Sequence, residues 1–172
     1  MRLFVGLRPS DDFRAALSVL QDRLRASGIK GRFLDPANLH MTLAFVGEWQ
    51  EDITPVLPQV SRPFPVALSH LGIFPEAKVI WAGVEESEAL DCLARRVRDN
   101  LSGHGIPFDP RAFNPHITLA RKPLVPDGLA FSDIEVPPAV MRVSEVCLYR
   151  SDHGERGMEY TVIGSTQGTA DQ

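Results

Sequence analysis

Seven residues, Asn38-Leu39-His40-Met41-Thr42-Leu43-Ala44, return later in the chain as Asn114-Pro115-His116-Ile117-Thr118-Leu119-Ala120. The two histidines stand 116 − 40 = 76 positions apart, and five of the seven residues are identical. With this chain's own composition, Thr, Leu and Ala follow a His in this pattern roughly once in a few thousand trials, so a repeat among five His is not chance. Any fold open to this chain must therefore house two equivalent segments, each presenting a His and a Thr.

The strand period of two assigns faces within each copy. Leu39, Met41, Leu43 and Phe45 share one side, and His40, Thr42 and Ala44 the other. The apolar side faces the core, which places Phe45 there and leaves His40 and Thr42 pointing outward together, about 7 Å apart. His116 and Thr118 follow the same rule. Arg121 alternates to the opposite side unless the strand twists at its end.

The repeat is longer than the motif. Phe4-Val5-Gly6-Leu7 aligns with Trp81-Ala82-Gly83-Val84, an offset of 81 − 4 = 77. Ser27-Gly28 aligns with Ser102-Gly103, an offset of 102 − 27 = 75, and Asp35-Pro36 and Asp109-Pro110 each precede a motif. A strand–helix–turn–strand unit thus occurs over residues 2–47 and again over 79–121. Without a third copy this is a duplication rather than a solenoid. We expect one two-lobed domain over residues 1–172, of class α+β, pseudo-twofold, with antiparallel sheets lining a central cleft and helices outside.

Local signals agree with the unit. Leu3–Leu7 reads as a buried strand stopped by Arg8-Pro9. Ser10 is a helix N-cap, with Asp11 and Asp12 in the first turn and Phe13, Ala16, Leu17, Leu20 and Leu24 on one face. Ser87 caps a second helix with Leu90, Leu93, Ala94, Val97 and Leu101 on its face. Further strands are expected over 64–74, 79–84, 129–136, 140–150 and 158–163, and Pro55 and Pro58 make 50–60 irregular. The small polar tail after Gly164 should fray.

Composition excludes several classes. A net charge of −4 gives no global basic field for a long duplex, while leaving room for a local anion pocket. Cys92 and Cys147 have no metal or redox spacing and read as free structural thiols. No apolar run is long enough to span a membrane, and Met1–Leu7 is too short for a signal peptide, so a cytoplasmic protein is expected.

Two imidazoles facing one substrate suit concerted acid–base work near neutral pH, one taking a proton and the other giving one. Two Thr hydroxyls beside them are donors for non-bridging phosphate oxygens. Attack of an oxygen nucleophile at phosphorus fits this set and needs no metal or other cofactor. Two His without a carboxylate at ligand spacing make an incomplete zinc set, and no G-x-x-x-x-G-K-[ST] loop occurs.

His40-Met41-Thr42-Leu43 and His116-Ile117-Thr118-Leu119 resemble the paired His-x-Thr-x motifs of the 2H phosphoesterase superfamily. Within it, the chain most resembles the bacterial and archaeal RNA 2′,3′-cyclic phosphodiesterases, also called 2′-5′ RNA ligases. Met1–Val5, Phe45-Val46-Gly47, Val79–Gly83, Pro115, Arg121, Leu148–Ser151 and Gly157–Tyr160 extend the likeness over nearly the whole chain; the end after Ile163 departs from it. The resemblance implies hydrolysis of an RNA 2′,3′-cyclic phosphate to a 2′-phosphate, with reversible 2′-5′ ligation as a related activity. It implies His40 as proton donor to O3′, His116 as proton acceptor from water, and Thr42 and Thr118 as phosphate holders. RNA with such an end, tRNA halves included, would be the partner, met by a monomer.

The remaining candidates have plainer readings. Arg121 either reaches the phosphate or pairs at the surface. His70, His104 and His153 lack a Thr partner and read as surface residues. Arg32, Lys78, Lys122 and Arg150 read as solvated surface that could rim a site. Trp49, Tyr149 and Tyr160 could stack a base, whereas Trp81 sits in an apolar run and reads as core. Two rivals remain open: an enzyme for small cyclic nucleotides or ADP-ribose cyclic phosphate, and a non-catalytic RNA-end binding module.

Overall fold

Ser10 and Ser87 each cap a helix of 16 residues in the computed structural model, which describes residues 1–167. The Ser10 hydroxyl accepts from the Phe13 amide at 3.3 Å and that of Ser87 from the Leu90 amide at 3.1 Å. These bonds satisfy amides that a helix start otherwise leaves open. The helices are α1 (Asp11–Ala26) and α2 (Glu88–Gly103). Gly28 at φ +90° follows α1 and Gly105 at φ +70° follows α2, a conformation glycine adopts without strain. The stop of α2 is therefore His104-Gly105 rather than Ser102-Gly103, and caps and stops share one offset, 87 − 10 = 105 − 28 = 77.

The strands are β1 (Arg2–Leu7), β2 (Lys30–Phe33), β3 (Met41–Glu48), β4 (Phe64–Phe74), β5 (Val79–Val84), β6 (Ile117–Leu124), β7 (Val140–Val143), β8 (Cys147–Gly154) and β9 (Gly157–Ser165). They form one antiparallel sheet in the order β7-β4-β5-β6-β3-β1-β8-β9, with β2 added beside β6. Its centre is β6–β3, joined by the pair Met41 and Ile117. To one side lie β1, β8 and β9, to the other β5, β4 and β7. Each half thus contributes a motif strand to the middle, which is the pseudo-twofold arrangement expected of the duplication.

Both helices pack on one side of this sheet. Phe13, Leu17, Leu20 and Leu24 of α1 and Leu90, Leu93, Val97 and Leu101 of α2 join Leu3, Val5, Leu43, Ile80 and Leu119 in one buried cluster. Burying each such side chain contributes about 1.5–3 kcal/mol. The opposite side of the sheet is left to the cleft. No described helix is long and apolar enough to cross a membrane.

Some expected elements change. Residues 129–136 form no strand but carry a single 3-10 turn, Phe131–Asp133. Residues 140–150 divide into β7 and β8, which belong to opposite halves; the chain crosses at Ser144–Val146, where Glu145 pairs with Arg8 at 2.8 Å. Residues 50–60 are irregular around a 3-10 turn at Thr54–Val56. The last strand continues through Ser165, held by the Thr166 amide on the Val146 carbonyl, so Gly164 does not begin a frayed tail. Residues 168–172 lie outside the described residues.

Candidate active site

The approach to each motif fixes its histidine. A 3-10 turn at Pro36–Asn38 is capped by Asp35, whose carboxylate accepts from the Ala37 amide at 2.9 Å. The Asn38 side chain donates to the Met158 carbonyl at 2.9 Å and accepts from the Tyr160 amide at 3.3 Å, tying the lead-in to β9. The carbonyl of Asn38 accepts from His40 Nδ1 at 2.7 Å, and that of Asn114 accepts from His116 Nδ1 at 2.6 Å. A carbonyl can only accept, so the proton of each neutral ring sits on Nδ1. Each Nε2 is thereby the free atom: a base when neutral, an acid when protonated.

Alternation along the motif strands is broken at matching points. Between β1 and β3, Gly6 faces Thr42 but Val5 faces Ala44, leaving Leu43 as an extra residue. Between β5 and β6, Trp81 faces Thr118 but Ile80 faces Ala120, leaving Leu119 extra. A β-bulge puts two consecutive side chains on one side of the sheet, and Leu43, Ala44, Leu119 and Ala120 are all buried. From there on parity reverses: Phe45 and Arg121, 121 − 45 = 76 apart, turn onto the His/Thr side and line the cleft. The assignment of Phe45 to the core is thus corrected, and Arg121 is brought to the site. These pairings also correct the strand alignment: Leu7 and Ala82 each face the residue after a motif His, an offset of 82 − 7 = 75 instead of 77.

Both bulges are held from the opposite half. Gln21 of α1 is 1% exposed, and its amide nitrogen donates to the Leu119 carbonyl at 3.0 Å and the Leu34 carbonyl at 2.9 Å. Arg98 of α2, 98 − 21 = 77 residues on, donates from Nε to the Leu43 carbonyl at 3.2 Å and from a terminal nitrogen to the Arg111 carbonyl at 2.7 Å.

The cleft has two connected sections. A wider one of about 740 Å³ holds both histidines and both threonines with Arg121, and is walled by Phe74, Phe113, Arg98 and Arg111. A narrower one of about 420 Å³ shares His40, Thr42, Phe45 and Arg121 and ends at Arg2, His153, Met158 and Tyr160. Another pocket, of about 490 Å³ at Arg8, Arg14 and Glu145, contains none of the motif residues. Among the described residues no group of three or more His, Cys, Asp or Glu is placed to hold a metal ion.

The two imidazoles differ in their surroundings. Ring centroids of Phe4, Tyr160 and Tyr149 lie 4.6, 4.9 and 5.5 Å from His40. Burial in this aromatic setting lowers His40 to about 4, with Arg121 and His116 adding repulsion and the Asn38 carbonyl opposing. His116 has only Phe74 at 5.1 Å and Trp81 at 6.2 Å; burial, with Arg121 beside it, lowers it too. At neutral pH the free protein therefore favours two neutral rings.

His40, Thr42, His116, Thr118 and Arg121 thus meet in one cleft. His153 lines the narrow end, whereas His104 Nδ1 bonds the Asn100 carbonyl at the end of α2 and His70 is exposed beside Trp81. Trp81 is half-buried between His70, Phe74 and His116 rather than in the core. It fits because Gly72 opposite it has no side chain; a Cβ there would enter the indole. Trp49 packs on the core and Tyr149 is buried beneath Phe4, stacked at 4.7 Å, so neither offers a face to a base. Sequence reasoning missed Phe45, Phe74 and Arg2; the paired Leu-Ala after each Thr, two apolar residues in succession, was the available sign of the bulge.

A model of the 2′-5′ RNA ligase superfamily matches residues 4–155. The RNA 2′,3′-cyclic phosphodiesterase of Thermotoga maritima is 30% identical, over 97% of this chain and 95% of its own. That of Methanothermobacter thermautotrophicus is 32% identical, over 94% and 95%. The crystal structure of E. coli LigT in apo form superposes with a TM-score of 0.77 at 26% identity, covering 95% of each chain. LigT complexed with 3′-AMP gives 0.76 at 25%, with the same coverage. On this extent of match, with the duplicated motifs meeting in one cleft, the chain belongs to the 2′-5′ RNA ligase superfamily.

Proposed function

We propose that this protein hydrolyses RNA 2′,3′-cyclic phosphate ends to 2′-phosphate ends without a metal. The observation that carries the reading is the pair of Nδ1-anchored histidines, each with its Thr, lining one cavity. The names of the relatives and the 3′-AMP complex of LigT support it. RNA carrying such an end, tRNA halves among them, is the proposed partner.

In the reaction, Thr42, Thr118 and Arg121 hold the non-bridging oxygens. His116 Nε2 takes a proton from water as its oxygen attacks phosphorus. The P–O3′ bond breaks and His40 Nε2 gives its proton to O3′, leaving the 2′-phosphate. The bound phosphate's negative charge favours the proton His40 needs, offsetting the burial that disfavours it. With an RNA 5′-OH in place of water, the same proton movements form a 2′-5′ linkage.

The aromatic setting of His40 favours a second reading, in which neutral His40 is the base and His116 the acid. A substrate with sulfur at the 3′ bridging position separates the two, because a thiolate leaves without a proton. Ala at the donor position should recover on that substrate; Ala at the acceptor position should not.

The function is tested with a short RNA ending in a 2′,3′-cyclic phosphate, in EDTA. We expect turnover to the 2′-phosphate by the wild type and loss with His40→Ala or His116→Ala. Wild-type activity abolished by EDTA, or retained in either variant, contradicts the mechanism. Stoichiometric binding without turnover would indicate an RNA-end binding module. Preference for cyclic mononucleotides or ADP-ribose cyclic phosphate would indicate a small-molecule enzyme.

A further inference from the structure

We propose that the narrow end of the cleft is a second phosphate site, formed by Arg32, Arg2 and Arg121. It takes the phosphodiester between the terminal nucleotide and the one before it. The proposal rests on the function above and adds a direction: the RNA strand leaves the histidine pair past β2 and the β8–β9 hairpin.

Arg32 of β2 stands directly opposite Arg121 of β6. Directly opposed residues in antiparallel strands share a face, and like charges so placed repel. The next residue, Phe33, packs on the core, so Arg32 projects to the cleft side, as Arg121 does. A terminal nitrogen of Arg32 lies 3.8 Å from where a Cβ on Gly157 would sit, beside Met158 of the narrow section. From the other flank Arg2 lines that section, its guanidinium carbon 5.1 Å from the Phe45 ring centroid.

Among the described residues these three cations have no acidic partner. Among the described residues none of them forms an ion pair, and no carboxylate lines the narrow section. The wide section differs. There Arg111 is forked onto Asp109, Arg98 is engaged by two backbone carbonyls, and Glu76 is present. A chain of net charge −4 has thus gathered positive charge, unpaired among the described residues, towards one end of its cleft. An anion between Arg32 and Arg121 converts their repulsion into two charge-assisted hydrogen bonds, and planar guanidinium forks suit phosphate oxygens. Thr42, Thr118 and Arg121 serve one catalytic phosphate, and Arg121 faces both sections, so the two further cations, Arg32 and Arg2, call for a further phosphate beside it. A single-stranded RNA end supplies it at the neighbouring linkage; a cyclic mononucleotide has none. The terminal nucleoside then lies in the wide section, against Phe74 and Phe113.

The test compares a dinucleotide bearing a 2′,3′-cyclic phosphate with the 2′,3′-cyclic mononucleotide of the same terminal base. The readout is the ratio of their kcat/KM values. Charge-assisted contacts are each worth roughly tenfold or more. The wild type should favour the dinucleotide by at least about tenfold, and Arg32→Gln should reduce the ratio about tenfold, through KM. Arg95→Gln, which removes one exposed charge from α2, should leave the ratio unchanged. A wild-type ratio near unity, or an Arg32→Gln ratio equal to that of the wild type, overturns the proposal. Should the wild type turn over neither compound, the function above fails. The phosphate site is then judged by the same ratio taken from Kd for the two 2′-phosphate products.

Discussion

Met41 of β3 and Ile117 of β6 stand directly opposite each other and join the two halves of the sheet. Each follows its motif histidine by one residue, and both are fully buried. Neighbours on a strand project to opposite faces, so this buried pair sets His40 and His116 on the cleft side of the seam. Met41→Ala should cost about 2–5 kcal/mol of stability. It should also lower kcat more than it raises KM, because the separation of the imidazoles is disturbed. Urea titration with steady-state kinetics checks both; a stability loss with unchanged kcat would detach the seam from the chemistry.

Gln21 bonds the Leu119 carbonyl at the bulge that turns Arg121 into the cleft. Gln21→Leu leaves the Leu34 carbonyl without this donor and should cost about 1–3 kcal/mol. Activity should fall roughly tenfold or more if Arg121 loses its aim, a contact to an ionised group being worth that much. The loss should shrink in an Arg121→Met background, where there is no aim left to lose. Losses that multiply would show that Gln21 acts on something other than Arg121.

Stability should depend on pH through His40. Its aromatic setting lowers it to about 4 from an ordinary 6.5, so the unfolded chain takes up the proton first as pH falls. The stabilisation is fully present above about pH 6.5 and is lost as pH falls towards about 4, by on the order of 2 kcal/mol once cleft exposure is discounted. His116, lowered in the same direction, adds to it. Thermal melts at pH 7 and 4.5 should show a smaller drop for His40→Asn than for the wild type. Equal drops would contradict the burial argument.

Gly72 makes room for the Trp81 indole beside His116. Gly72→Val should push the ring towards the cleft and reduce kcat/KM, while the β-branched residue suits the strand and keeps the fold. Circular dichroism and kinetics separate the two effects. A fully active Gly72→Val enzyme would show that the ring has room elsewhere.

Much of the site was legible because its signal is repeated. One His-x-Thr is ambiguous; two copies assigned the face of each and predicted that they meet. The bulges at Leu43 and Leu119 were not legible by alternation, which carries parity through an extra residue and so sent Phe45 inward and left Arg121 in doubt. Trp81 was misplaced because an apolar neighbourhood in sequence does not say which face lacks a cover; Gly72, opposite it on β4, decides that. The alignment of β1 with β5 slipped by two because a shared Gly outweighed pairing register, which depends on strands distant in the chain. For the same reason 140–150 looked continuous: nothing local tells β7 that its partner is β4 while the partner of β8 is β1.

The central claim is that the histidines of the two halves act as one unit. The direct measurement is kcat/KM on an RNA 2′,3′-cyclic phosphate end for His40→Ala, His116→Ala and the double variant. Residues that act as a unit are non-additive. Each single variant should lose roughly a thousandfold or more, and the double variant should be no worse than about tenfold below either. A double variant whose loss equals the product of the single losses, or a single variant near wild-type activity, would contradict the account.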